Sequence, residues 1–308
     1  MSLLHQRVNE YLALRRAMGF KLREHGLLLP RFADFVEQRG ATTVSVDLML
    51  DWATQPTGVD PFRWRSRLSV VRGFARYLRG LDSTTQVPPP RLLAYRRSRP
   101  TPFLFSDEEV RRLLDATEQL RPPFRAVTYR TVFGLLAVTG LRVGEAIALE
   151  HRDVDLARRA LTVRQTKFNR SRRLPLLPSV VAALGIYARE RDRSGPPPTV
   201  PNFFLSMRGT ALLYPCVRDV FATLARRSGI QARSASCRPR LHGLRHSFAV
   251  HSLTEWYRDG VDVAARLPLL AAWLGHTHPA STYWYLQATP ELLGEAARRL
   301  ESSQVASS

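Results

Sequence analysis

The sequence predicts a mainly α-helical protein of two domains, the second carrying a small antiparallel β-sheet. Three observations lead there. Apolar residues recur at helical spacing through most of the 308 residues. A Pro- and Arg-rich stretch at 88–101 breaks that pattern and divides the chain into a domain at 1–87 and another at 102–308. Two short β-rich runs joined by a polar turn lie inside the second part. Each part is long enough to bury a core of its own.

In the first part, Leu4, Val8, Leu12 and Leu14 predict a helix over 3–18 that Gly19 ends. A second spans about 22–39, with Leu28, Phe32, Phe35 and Val36 as its apolar face and Gly40 as its stop. A shorter helix runs from Val46 to Ala53, before Pro56. The fourth, Pro61 to Leu78, interleaves Trp64, Leu68, Val71, Phe74 and Tyr77 with Arg63, Arg65, Arg67, Arg72 and Arg76. One side would pack and the other would meet phosphates, giving a helical DNA-binding domain. On this segment alone, a merely solvated arginine face is an equal alternative.

The linker contains Val87-Pro-Pro-Pro90 and Arg96-Arg-Ser-Arg-Pro100. Fourteen extended residues would span roughly 40 Å at about 3.1 Å each, enough to place two domains on opposite sides of a duplex. After it, Ser106-Asp-Glu-Glu109 predicts a capping box and a helix through Ala116. An apolar helix follows at about 124–138 and stops at Gly140, and Arg142 to Leu149 restarts the periodicity. Leu161–Thr166 and Arg173–Leu177 predict two strands of a hairpin turning at Lys167-Phe-Asn-Arg-Ser171. Helices at about 179–192 and 214–228 flank a Gly-Pro-Pro-Pro loop and a short Phe203–Leu205 strand, and 242–301 is again helical.

The charge is informative. Forty-six Lys and Arg against 26 Asp and Glu leave a net charge of +20, spread along the chain rather than held in a tail. Such a field attracts polyanions, of which nucleic acid is the commonest. The only lysines are Lys21 and Lys167, so 44 of the basic residues are arginine. Arginine keeps its proton and lysine can release it, which makes any retained lysine informative. Cys216 and Cys237 form no CxxC and suit neither a zinc site nor a disulfide framework. No apolar run approaches 18 residues and no signal-peptide pattern opens the chain, so a cytosolic, membrane-free setting is expected.

Chemistry gathers at a few polar residues set into apolar helical text. Arg142 follows the helix stop at Gly140, so it opens the next helix, where backbone N–H groups and a guanidinium together favour an anion. Glu145 lies at i,i+3 from it and could pair with it or orient it. His242 and Arg245 share a helix face by the same spacing and can reach one phosphate. His242 and His246 are at i,i+4, a metal-ligand spacing, but there is no HExxH, and Arg245 would set a fixed positive charge beside the cation. His276 and the pair Tyr283 and Tyr285 close the stretch. On a helix those tyrosines point about 200° apart, so one of them can face a site, and spacing alone does not choose. The sequence has no Walker loop, no acidic metal cluster and no nucleophile elbow. Cationic donors with a tyrosine suit electrophilic stabilisation of a phosphate and covalent attack on it.

Thr139-Gly-Leu-Arg142-Val-Gly-Glu145, Lys167 in a hairpin, His242-x-x-Arg245-His246, Leu274-Gly-His276 and Tyr285 resemble, in order, the motifs of the tyrosine recombinases, or phage integrases. The resemblance spans both domains. It implies a helical core-binding domain of SAM-like type followed by the DNA breaking-rejoining fold. It also implies that Arg142 and Arg245 grip the scissile phosphate, that His242 serves as acid/base, and that Lys167 protonates the leaving 5′ oxygen. His276 would hydrogen-bond the phosphate and Glu145 would support the site. Nine residues separate the motif histidine from the family's nucleophile, which selects Tyr285 for the 3′-phosphotyrosine. The family uses no metal and no cofactor. It acts on double-stranded DNA in bacterial cytoplasm, at the nucleoid, as a homotetramer on paired sites or with companion recombinases. The 31-residue interval from Arg245 to His276, with Thr289-Pro-Glu-Leu292, is similar to the Tn554-like and recombinase-in-trio mobile-element recombinases. A non-cutting DNA-binding protein of the same fold and a strand-swivelling topoisomerase are the alternatives.

Overall fold

The structure, a computed structural model, describes residues 2–93, 101–164, 171–276, 280–287, 294, 295 and 298. The chain forms two compact units, Met1–Arg99 and Pro100–Ser308.

Among the described residues, the first unit consists of four helices: α1 (Leu3–Ala17), α2 (Arg23–Gln38), α3 (Val46–Thr54) and α4 (Pro61–Arg79). Local chemistry sets their starts. The side chains of Ser2, Ser45 and Asp60 accept from the backbone N–H groups of His5, Leu48 and Phe62, and Pro61 opens α4 where no N–H is needed. Phe32, Trp52, Leu68, Val71 and Phe74 fill the core, with Phe32 edge-on to Trp52 at 5.3 Å between ring centroids. On α1 the buried stripe is Val8, Tyr11 and Leu12, while Leu14 faces solvent.

In the second unit the capping box forms between Ser106 and Glu109 and starts α5 (Asp107–Asp115). The apolar α6 (Pro123–Thr139) runs through the core and buries Phe124, Val132, Phe133 and Leu136. After α7 (Val143–Ile147) come strands β1 (Val154–Asp155), β2 (Ala160–Val163) and β3 (Arg172–Pro175) in an antiparallel sheet of that order. Leu161 stands opposite both Val154 and Leu174. Helices α8 (Pro178–Ser194), α9 (Tyr214–Arg227), α10 (Leu241–Arg258), α11 (Val263–Leu274) and α12 (Ala280–Tyr283) follow, then a 3₁₀ turn, Trp284–Gln287.

Two expectations change. Phe203–Leu205 is not a strand: Leu205 makes only an isolated bridge to Ala211. All three side chains are buried, around Tyr187, whose hydroxyl accepts from the Leu205 N–H. Their apolar run therefore reflects core packing rather than a ladder. The helical stretch after 242 is also interrupted, at Asp259–Asp262 and again at Gly275, which caps the end of α11.

Candidate active site

Helix α6 ends at Gly140, whose φ is +63°. A Cβ there would lie 2.5 Å from Cδ1 of Phe248, so both backbone and space require glycine. The turn delivers Arg142 to the N-cap of α7. Its backbone N–H donates to Glu145 Oε2 at 3.0 Å, and its Nη1 donates to Glu145 Oε1 at 2.8 Å.

The C-terminal end of α11 is a second anchor. Its last carbonyls have no partner within the helix and carry the negative end of the helix dipole. Three successive carbonyls each accept from a different arginine. Trp273 takes Nε of Arg172 at 2.7 Å, Leu274 takes Nη2 of Arg245 at 2.7 Å, and Gly275 takes Nη2 of Arg142 at 3.1 Å. Gly275 has a φ of +65°, and a Cβ on it would approach Arg172 Nη1 to 2.5 Å. The glycine thus leaves room for the guanidiniums of Arg172 and Arg142 at this helix end. Arg245 is 2% exposed and also donates through Nη1 to the Gly140 carbonyl at 2.7 Å, which ties the ends of α6 and α11 together. Burial, then the charge of Arg142, lowers the Arg245 pKa to about 10, so it remains a cation at neutral pH.

Arg172 was not among the residues singled out from the sequence. It donates to both oxygens of Glu145, at 2.8 and 3.2 Å, so this one carboxylate joins Arg142 and Arg172. Burial alone would raise the Glu145 pKa; hydrogen bonds and charge from Arg172, then Arg142, outweigh it and hold the carboxyl below its ordinary value. The signal was strand alternation: Arg172 shares the inner side of β3 with buried Leu174, while Arg173 points outward.

Helix α10 adds His242, Arg245 and His246, with the two imidazole rings 4.5 Å apart, edge to face. His246 Nδ1 lies 3.1 Å from the Tyr285 hydroxyl. His276 stacks on the Tyr285 ring at 6.2 Å between centroids, and its Nδ1 lies 2.7 Å from Thr282 Oγ1. The tyrosines separate clearly: Tyr285, in the 3₁₀ turn, is 2% exposed, and Tyr283 is 53% exposed. Loss of hydration and neighbouring cations lower all three histidines, His246 to about 3 and His276 to about 4. His242, which keeps an exposed side, is lowered in the same direction by partial burial, then Arg245 and Arg142. Burial raises the Tyr285 pKa, opposed by Arg245 and Arg142, so the phenol keeps its proton without help. The fold therefore brings Arg142, Glu145, Arg245, His242, His276 and Tyr285 into one connected set and adds Arg172 and His246. Lys167 lies outside the described residues.

In the helical unit, Arg63, Arg65 and Arg76 are exposed on α4. Arg67 and Arg72 turn inward. The Arg67 guanidinium lies 3.7 Å from the Trp52 ring centre and donates to the Trp52 carbonyl at 2.6 Å. Arg72 donates to the carbonyls of Pro88 and Pro89, each at 3.0 Å. Among the described residues no three or more His, Cys, Asp or Glu side chains are grouped to hold a metal ion, and no helix is long and apolar enough to cross a membrane.

The chain is similar to known proteins over most of its length. The sequence profile of the phage integrase family matches residues 104–291. A Sinorhizobium fredii protein named as a candidate integrase/recombinase, y4rB, is 42% identical over 98% of both chains. Tyrosine recombinase XerD of Brucella abortus is 32% identical over 77% of this chain and 75% of its own. Among solved structures, the Tn1549 transposon integrase in complex with transposon right-end DNA covers 96% of this chain and 99% of its own, with a TM-score of 0.64 and 17% identity. The XerH site-specific recombinase bound to its palindromic substrate covers 90% and 79%, with a TM-score of 0.65 and 18% identity. At such identities the two structures speak to the fold.

Proposed function

This chain belongs to the phage integrase family, the tyrosine site-specific recombinases, and we propose that it cuts and rejoins double-stranded DNA at paired sites through a 3′-phosphotyrosine on Tyr285. One observation carries the reading. Arg142 and Arg245 are fixed on the consecutive carbonyls of Gly275 and Leu274, and Tyr285 contacts His246 on the helix that supplies Arg245. A guanidinium has five N–H donors. Each of these arginines spends some of them on the fold, which sets its direction, and keeps others for a phosphate. Donors fixed before the reaction stabilise charge that develops on the phosphoryl oxygens without reorganising.

In this mechanism Arg142 and Arg245 hold the scissile phosphate, His276 hydrogen-bonds it, and His242 exchanges protons beside it. Glu145 keeps Arg142 in place. The Tyr285 oxygen attacks phosphorus, and Lys167 protonates the 5′ oxygen as it leaves. The phosphotyrosine retains the energy of the broken bond, so a 5′ hydroxyl from the partner strand can reverse the step. Residues 102–308 would carry this chemistry and residues 1–87 would bind DNA, with 88–101 between them. The working unit would be a tetramer of this chain on paired sites, or one shared with companion recombinases.

The experiment is a nicked suicide duplex carrying the recombination site, incubated with protein in the presence of chelator and run on a denaturing gel. A covalent protein–DNA band is expected. Specific, salt-sensitive binding without that band would favour a non-cutting protein of the same fold. Relaxation of arbitrary supercoiled plasmid, with no need for paired sites, would favour a topoisomerase.

A further inference from the structure

We infer that His246 takes the Tyr285 phenolic proton during attack, and that the incoming phosphate is what enables it to do so. The inference rests on Tyr285 being the nucleophile. His246 Nδ1 lies at hydrogen-bond distance from the Tyr285 hydroxyl, 3.1 Å, and the two rings are 5.5 Å apart. The other groups near the phenol are poorer acceptors. Arg245 has only donors. The Nδ1 of His276 is engaged with Thr282 Oγ1. With the proton on its Nε2, neutral His246 offers the Nδ1 lone pair to the phenol.

The surroundings explain why the base is idle in the free protein. His242 and Arg245 from its own helix and His276 from beyond α11 face His246, and burial with their charge pulls its pKa down to about 3. An imidazolium there would sit beside a buried guanidinium. A phosphodiester held by Arg142 and Arg245 brings negative charge that grows as the attack proceeds, and this offsets the repulsion. Proton acceptance is thereby tied to substrate. As the bond from the Tyr285 oxygen to phosphorus forms, the phenolic proton passes to Nδ1. The bond from phosphorus to the 5′ oxygen breaks, and that oxygen keeps the electron pair and gains a proton from Lys167 or water. On rejoining, the 5′ hydroxyl attacks phosphorus and gives its proton to Lys167 or water, the bond from phosphorus to the Tyr285 oxygen breaks, and Nδ1 returns the proton to that oxygen.

The test is single-turnover adduct formation on the suicide duplex across pH 6 to 10 with His246→Gln, which can hydrogen-bond but cannot take a proton. The expected result is DNA binding like the unmodified protein and a rate at neutral pH lower by about 100-fold or more. The deficit should shrink as pH rises and when a fluorinated, more acidic tyrosine replaces Tyr285. A rate within about threefold of the unmodified protein, a faster rate, or an equal loss at every pH that fluorination does not relieve would each overturn the inference. Should H246Q fail to fold, fluorinated tyrosines in the otherwise unchanged protein decide. With His246 as base, the pH at which the rate falls away stays fixed as the phenol becomes more acidic; without it, that pH follows the phenol. Failure of the nucleophile reading looks different, because the adduct would then survive Tyr285→Phe.

Discussion

Glu145 holds Arg172 with both of its oxygens, Oε2 to Nη2 at 2.8 Å and Oε1 to Nη1 at 3.2 Å. Arg172 comes from β3 and Glu145 from α7, so the contact fastens the sheet to the turn that carries Arg142. Because Arg172 also holds the Trp273 carbonyl, one side chain secures three segments. Arg172→Ala would leave a nearly buried carboxylate with Arg142 alone. We expect a stability loss of about 3 kcal/mol and adduct formation slower by about 100-fold. Arg172→Lys should recover little, since an ammonium cannot reproduce the two-point contact. Urea denaturation and single-turnover cleavage check the two parts.

Where sequence patterns were local, they were legible. The capping box at Ser106 and the glycine stops at Gly19, Gly40 and Gly140 each act within a few residues and appear in the structure as helix ends. The roles of Arg172 and His246 depend on partners far along the chain, Trp273 and Tyr285, and no spacing rule links them. β1 is only two residues long, too short for a period, and the Phe203–Leu205 run mistook burial for a strand. The arginines of α4 show the same limit. Composition cannot distinguish Arg67, laid on Trp52, from exposed Arg63.

That contrast is measurable. Arg63→Ala and Arg76→Ala should weaken DNA binding about equally for specific and non-specific duplexes, and each should lower the slope of log affinity against log salt by about 1. Arg67→Ala should instead lower the stability of the helical unit by about 1–2 kcal/mol through loss of the ring contact and the hydrogen bond. Fluorescence anisotropy in a salt series and thermal melting separate the two effects.

Gly140→Ala should be costly even though the change is one methyl group. It would force a φ of +63° on an L residue and drive Cβ into Phe248. A loss of about 2 kcal/mol or more is expected from urea denaturation, with cleavage reduced because the Gly140 carbonyl anchors Arg245.

Stability should fall in mild acid. The folded pKa values of His246, about 3, and His276, about 4, lie below their ordinary 6.5, and His242 is shifted the same way. Between those limits the unfolded chain binds more protons, so stability rises with pH: the contribution is full above pH 6.5 and is lost as pH falls toward 4. Glu145, also lowered, adds a loss at still lower pH, below its ordinary 4.5. Melting temperature should therefore drop from pH 7 to pH 4, and less steeply in His246→Gln. An equal slope in that variant would show that His246 is not a source of the effect.

The most direct measurement is the identity of the residue joined to DNA. The suicide-duplex adduct would be digested and the DNA-linked peptide sequenced by mass spectrometry. A 3′-phosphoryl group on Tyr285, absent in Tyr285→Phe and present in Tyr283→Phe, is the predicted result. A linkage to Tyr283, or an adduct that persists in Tyr285→Phe, would contradict the account.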